Sequence, residues 1–225
     1  MANPVTAPGS LFDEIVGVKS FEVCQGDSCI GYTFVAGTLS PEPGVSLIGI
    51  ARYQHYPETP NPPVIYATYP IDSDSQIIRR ARAMDAVRDP VTGFFRAVVV
   101  AEVPGLDGQS DILTLAFNFR LELAWMRTYS HDKFEDPIWN DDVPVAVSVG
   151  LSAVVVAGNS EYPGAQNDIV LLAYAPSDGT YIAPPRRFAT PGDDLAADIT
   201  LRSHGVTGEP YAFVVGTTPT PGTPD

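Results

Sequence analysis

The C-terminal half of this chain repeats itself. Residues 111–117 (DILTLAF) return as residues 168–174 (DIVLLAY), 57 positions along the chain. The run at 98–101 (VVVA) returns at 154–157, 56 positions along. A fixed period of this size indicates one supersecondary unit used several times. A residue that holds the same place in each unit is therefore expected to belong to the scaffold.

Each unit is predicted to contain four short strands. The 22 prolines and 19 glycines among 225 residues favour many strands joined by turns over long helices. The second strand recurs at 34–37, 98–101, 154–158 and 213–216. The third recurs at 46–53, 111–117 and 168–174. The fourth ends in an aromatic residue at Tyr69, Tyr129 and Phe188.

The repeat also decides between a helix and a strand at 76–87. Ile77, Ile78, Ala81 and Met84 would share one helical face there. However, residues 86–100 align without gaps to residues 201–215, each with a glycine-containing turn before an apolar run. This register predicts that the second half of 76–87 is a strand.

Four-stranded units in series predict an all-β fold, a β-propeller-like array of four-stranded antiparallel blades. The strand count gives about three and a half blades, the final half lying at 194–216. An open array would expose apolar blade faces at both ends. The alternative is a two-sheet β-sandwich. We expect a lead-in at 1–12, the domain at 13–218 and a Pro/Thr linker or tail at 219–225.

Charge argues against two classes of partner. The formal net charge is −14, and such a surface repels nucleic-acid backbones and anionic lipid. The basic clusters at 79–82 and 186–187 are short and have no interleaved aromatic residues. No apolar run approaches the roughly 20 residues that a membrane span needs. Neither nucleic-acid binding nor membrane insertion is predicted.

The only two cysteines, Cys24 and Cys29, flank a Gly-Asp turn between two strand-like runs. A β-hairpin at this point would bring them within disulfide range. A metal site is the alternative, but the three histidines, at 55, 131 and 204, are far apart in the sequence. The spacing favours a structural disulfide and an oxidising compartment.

Several segments together resemble a known propeller family. Residues 168–174 (DIVLLAY), 177–180 (SDGT), 193–196 (DDLA) and 211–218 (YAFVVGTT) are similar to successive parts of the bacterial seven-bladed β-propeller (SBBP) repeat. Residues 123–129 (LAWMRTY) resemble its tryptophan-bearing fourth strand. The resemblance implies an extracellular or envelope-exposed propeller, commonly without known catalysis.

One group of side chains suggests a ligand site. Aromatic rings beside Asn, Asp, Gln and Arg are the residue types that stack on sugars and select their hydroxyl groups. The alternative is that these aromatic residues fill the packing between blades. The predicted glycan-binding residues are Arg52, Tyr53, His55, Tyr56, Trp139 and Asn140.

Paired aspartates offer a catalytic alternative. The pairs at 141–142 and 193–194 could line a central channel as acid/base carboxylates. Their recurrence before the first strand of two units favours a capping role. Asp111 and Asp168 likewise recur just before an apolar strand, where a carboxylate fixes the turn.

The leading hypothesis is a non-enzymatic, extracellular or cell-surface module of the bacterial envelope, used in structure or protein interaction. A protein partner or self-association would complete the blade array. The alternatives are a glycan-binding, lectin-like propeller and a carbohydrate-active enzyme with channel carboxylates. No cofactor, metal or catalytic residue is predicted.

Overall fold

The chain folds into strands alone over the residues that the structure describes. The structure, a computed structural model, describes residues 12–26, 28–42, 45–55, 64–69, 80–105, 108–130, 141–162, 166–203, 207 and 209–219. Within these ranges there are strands and turns but no helix, and hence no helix that could cross a membrane.

The strands form four separate antiparallel sheets in chain order. Sheet 1 contains β1 (Glu14–Gln25), β2 (Ser28–Glu42), β3 (Val45–His55) and β4 (Val64–Tyr69). Sheet 2 contains β5 (Arg80–Arg88), β6 (Phe95–Pro104), β7 (Ser110–Asn118) and β8 (Leu123–Tyr129). Sheet 3 contains β9 (Asp142–Val149), β10 (Val154–Tyr162), β11 (Gln166–Tyr174) and β12 (Tyr181–Phe188). Among the described residues, sheet 4 contains two strands, β13 (Leu195–Ser203) and β14 (Pro210–Thr217).

This architecture confirms the predicted all-β array of four-stranded antiparallel blades. Three sheets are complete, the fourth has two strands, and the sheets do not close into a ring. The strand prediction for the second half of 76–87 is also confirmed, because β5 begins at Arg80. Four sheets in series are not the two-sheet sandwich that was the alternative.

The sheets stack face against face, with an apolar cluster in each gap. The clusters contain Phe95 between sheets 1 and 2, Tyr174 between sheets 2 and 3, and Ile199 between sheets 3 and 4. Residues 97–101 of β6 are all buried because sheet 2 is covered on both faces. A strand covered on both faces has a continuous apolar sequence instead of an alternating one. This explains the VVVA run that reveals the repeat.

A β-bulge recurs at the same place in the first strand of every sheet. The extra residues are Val16, Arg82, Val145 and Ala197. Opposite each bulge the second strand carries a small residue: Gly37, Ala101, Gly158 or Gly216. A bulge bends its strand and increases the local twist. The common position gives the four sheets the same local shape.

The predicted pairing of the cysteines is confirmed. Cys24 and Cys29 are directly opposite each other in β1 and β2 and are joined by a disulfide. The turn between the two strands includes Gly26, whose φ is +60°. Glycine adopts this left-handed conformation without the strain that a Cβ would introduce.

We expect Gly37→Ala to destabilise the fold, because a Cβ at Gly37 would lie 2.0 Å from the carbonyl oxygen of Glu14. Backbone must move to relieve that contact, which costs roughly 1–3 kcal/mol in the free energy of unfolding. Gly31→Ala is a matched control on the same strand. A Cβ at Gly31 would have the Cβ of His55 as its nearest neighbour, at 3.4 Å. Urea denaturation of both variants measures the difference. Equal stability of the two variants would contradict this account of the bulge.

Candidate functional site

The three predicted glycan-binding residues that the structure describes do not share one face of their sheet. Arg52, Tyr53 and His55 lie within strand β3. Successive residues of a strand point to opposite faces. Arg52 therefore lies on one face of sheet 1, and Tyr53 and His55 lie on the other. Tyr56, Trp139 and Asn140 fall outside the described residues.

Arg52 joins sheet 1 to sheet 2. Its Nη1 donates a hydrogen bond to the carbonyl oxygen of Phe119, in the turn between β7 and β8. Its guanidinium carbon lies 3.9 Å from the centre of the Phe119 ring, a cation–π contact. Burial lowers the pKa of Arg52, and the nearby Tyr32 partly offsets that effect. Arg52 is thus engaged inside the protein, while the ligand role of the six residues stays a prediction.

The recurrent aspartates hold neighbouring sheets together. Asp141 accepts a hydrogen bond of 2.9 Å from the backbone N–H of Ser110, at the start of β7. Asp193 accepts one of 2.7 Å from the backbone N–H of Asn167, at the start of β11. In both cases a residue just before the first strand of one sheet caps the third strand of the preceding sheet. These contacts agree with the capping role favoured by their recurrence.

Asp168 has a different partner from the turn backbone expected for it. It forms an ion pair of 2.6 Å with Arg187 of the neighbouring strand β12. Burial raises the pKa of the Asp168 carboxyl group, an effect that Arg187 only partly offsets. The residue is nearly buried between sheets and serves the scaffold.

The first strands of all four sheets line a shared groove of about 670 Å³. Its charged side chains include Lys19, Glu22, Asp85 and Asp198. Asp85 is already engaged. It forms a salt bridge of 2.9 Å with Lys19 and accepts a hydrogen bond of 2.9 Å from the backbone N–H of Val149. Neither Asp141 nor Asp193 lies in this groove. The pairs proposed as channel carboxylates are therefore used elsewhere.

A second cavity, of about 560 Å³, opens between sheets 1 and 2. Its walls are mainly apolar and include the rings of Tyr32, Phe94, Phe95 and Phe119. Phe94 is the most exposed of these rings, and Phe95 and Phe119 stack at a centroid distance of 5.0 Å. Arg52 packs against the ring of Phe119. Sequence reasoning missed this pocket, because its aromatic residues come from three separate segments of the chain.

No described residue covers the face of sheet 4 that corresponds to the buried faces of the earlier sheets. We call the face turned toward the next sheet the forward face. On sheet 2 it includes Val98 and Val100, both 0% exposed. The residues in the same register on sheet 4 are Phe213 and Val215, which are 56% and 62% exposed. Tyr211 extends this row, and the centres of the Tyr211 and Phe213 rings are 5.2 Å apart in an edge-to-face contact.

The far edge of β14 is also unpaired within the described part of the chain. In sheets 1 to 3 the second strand pairs with the first strand on one edge and the third strand on the other. β14 pairs only with β13. An open strand edge presents backbone donors and acceptors that another strand can bind. We call the forward face of sheet 4 and this edge the open end.

The opposite end of the array is partly covered. A Cβ at Gly49 would lie 2.7 Å from the ring of Phe12, so this ring lies over the outer face of sheet 1. Ala51, on the same face, is fully buried, although Val18 is exposed. The expectation of exposed apolar faces at both ends is therefore met fully at sheet 4 and only in part at sheet 1. Terminal units of repeat arrays commonly need such a cover.

An arginine–turn contact recurs between the complete sheets. Arg52 of sheet 1 donates to Phe119 in the turn between the third and fourth strands of sheet 2. Arg127 of sheet 2 donates to the carbonyl oxygens of Asp178 and Gly179, both at 2.8 Å, in the equivalent turn of sheet 3. Arg186 has the same register in sheet 3 as Arg127 in sheet 2. It is exposed and has no hydrogen bond or ion pair to any described residue.

Among the described residues, no group of three or more His, Cys, Asp or Glu side chains is arranged to hold a metal ion. In comparisons with known proteins, no family model, no curated protein and no solved structure matches the chain. The resemblance to the bacterial seven-bladed propeller repeat therefore stays a prediction based on its motifs.

Arg127→Leu is expected to weaken the contact between sheets 2 and 3. It removes two charge-assisted hydrogen bonds across the interface, a partly buried one to Gly179 and an exposed one to Asp178, which lowers the free energy of unfolding by roughly 1–3 kcal/mol. Arg186→Leu is the matched control at the equivalent position and should change stability by less than about 0.5 kcal/mol. Thermal and urea unfolding measure the change in stability of both variants. A loss at Arg186 as large as that at Arg127 would contradict the difference in partners.

Proposed function

We propose that the chain is a non-enzymatic, extracellular β-propeller-type module for structure or protein interaction, and that a protein partner binds at its open end. The observation that carries the proposal is the exposed row Tyr211, Phe213 and Val215 on a face that the other sheets bury. Contiguous apolar residues of this kind on a soluble protein mark interaction surfaces. Large aromatic side chains are also over-represented among the residues that dominate binding energy.

An extracellular setting is supported by the Cys24–Cys29 disulfide. Disulfides persist in oxidising compartments and are rare in reducing ones. The motifs shared with the bacterial seven-bladed propeller repeat favour the same setting. A structural rather than catalytic role is supported by the recurrent aspartates, since Asp141 and Asp193 cap strands of neighbouring sheets.

The test is site-specific photo-crosslinking in cells that express the chain naturally, with the photoreactive residue at position 213 or, as a control, at position 91. The cross-linked protein is then identified, purified and titrated against the chain by calorimetry. We expect 1:1 binding that the double variant Phe213→Ser, Val215→Thr weakens at least tenfold. Val91→Ser, at an exposed turn residue, should leave affinity unchanged. No specific cross-link at position 213, or binding insensitive to the double variant, would contradict the proposal.

A second candidate function is glycan binding at the aromatic cavity between sheets 1 and 2. Exposed Phe94 and the rings of Tyr32 and Phe119 offer stacking surfaces, and Asn118 and Glu122 provide polar groups at the rim. Titration of millimolar mono- and oligosaccharides by NMR tests it. Binding that Phe94→Ser abolishes and Phe213→Ser leaves intact is the expected result. No shift at millimolar sugar would remove this candidate.

A further inference from the structure

We propose that the protein partner inserts a β-hairpin beside β14, where it supplies the third and fourth strands of sheet 4. The inference rests on the proposed function, because it specifies how a partner engages the open end. The mode is β-strand addition, in which backbone hydrogen bonds along an open edge give affinity and alternate side chains give specificity. Three features of the neighbouring sheets define the hairpin that fits.

The first feature is the register that the edge of β14 imposes. In sheet 3 the third strand places Ala173 opposite Val155 and Leu171 opposite Ala157. Phe213 and Val215 of β14 have the same register as Val155 and Ala157 of β10. The inserted strand therefore places residues equivalent to Ala173 and Leu171 beside Phe213 and Val215. β14 spans eight residues, which sets the length of the strand it can pair.

The second feature is the uncovered outer part of sheet 3. Tyr129 ends the fourth strand of sheet 2 and is 5% exposed, because sheet 3 covers it. Phe188 has the same register at the end of β12 and is 54% exposed. Leu171 and Ala173 lie beside it on the same face and are only partly buried. The two missing strands of sheet 4 would cover this apolar surface, as an extension of the packing that already joins sheets 3 and 4.

The third feature is Arg186. At the two complete interfaces, an arginine donates to carbonyl oxygens of the turn between the third and fourth strands of the next sheet. Arg186 has the register of Arg127, and it lacks a partner among the described residues because sheet 4 has no such turn there. A hairpin inserted beside β14 would bring its own turn to this guanidinium. A planar guanidinium suits two adjacent carbonyl oxygens, as the contacts of Arg127 illustrate.

These features specify the partner's chemistry. The inserted segment has an apolar third strand of about eight residues, a tight turn with exposed carbonyl oxygens, and a fourth strand. In the turn of sheet 3, the carbonyl oxygen of Gly179 accepts a hydrogen bond from Arg127, and Gly179 has a left-handed backbone conformation with φ +70°. Residues 166–188 of this chain, which contain β11, that turn and β12, are thus a probe with the required pattern.

The experiment measures binding of a labelled synthetic peptide of residues 166–188 to the intact chain by fluorescence anisotropy. We expect saturable binding, no binding of a scrambled peptide, and at least tenfold weaker binding to the variants Arg186→Gln and Phe188→Ser. Arg120→Gln and Val91→Ser, exposed residues elsewhere on the protein, are the matched controls and should bind as the parent does. In the complex, amide hydrogen exchange in β14 should slow at least about tenfold.

A fused version guards against a peptide that aggregates before it binds. The same residues follow position 219 through a flexible Gly/Ser linker, which raises their effective concentration to the millimolar range. We expect protection of β14 and a higher melting temperature than in a fusion with the scrambled sequence. If neither the free nor the fused hairpin protects β14, the inference is wrong. Binding that ignores Arg186 and Phe188 also overturns it.

The outcomes separate this inference from the proposed function. A cross-linked partner that depends on Phe213 and Val215 but leaves β14 amides unprotected supports an interaction module and refutes hairpin insertion. Hairpin binding without any partner at position 213 supports insertion at the edge and refutes the proposed role of the exposed row.

Discussion

The structure depends on the need of each sheet to bury both of its faces. Residues 97–101 of β6 are fully buried, because sheets 1 and 3 cover the two faces of sheet 2, and removal of either neighbour would expose apolar side chains. Burial of apolar surface is the main favourable term in folding, at roughly 25 cal/mol per Å². The bulges, the aspartate caps and the arginine–turn contacts then fix how each sheet meets the next. They set the register and spacing of interfaces whose stability comes mainly from the apolar clusters.

The same constraint explains how much of the fold could be predicted from the sequence. Because β6 and β10 are covered on both faces, their sequences are short uninterrupted apolar runs that recur at a fixed period. The period predicts four-stranded units and an unfinished last unit. The bulges were not predicted, because the extra residues Val16, Arg82, Val145 and Ala197 share neither size nor polarity. What they share is the register of their partners, which only the paired strands reveal.

The candidate site was harder to predict for a related reason. Arg52 stands in a polar, aromatic stretch that is typical of ligand sites, yet its guanidinium packs on Phe119 of the next sheet. A single sequence does not distinguish an arginine that binds a ligand from one that binds a neighbouring turn. The row Tyr211, Phe213 and Val215 is likewise indistinguishable by sequence from the buried second strands. Its exposure follows from its place in the array, because no sheet covers sheet 4 from that side within the described residues.

The partial cover over sheet 1 makes the two ends of the array unequal in packing. The ring of Phe12 covers part of the outer face of sheet 1, whereas sheet 4, in the described part of the chain, has one neighbouring sheet and two strands. In an array whose stability is a sum of nearest-neighbour terms, local opening begins where the fewest terms hold a unit. Sheet 4 should therefore separate from sheet 3 in transient openings that leave sheets 1 and 2 intact. The protein would then combine stably packed sheets 1 and 2 with a last sheet that opens locally. Binding of a partner at sheet 4 would slow the fluctuations of sheets 3 and 4.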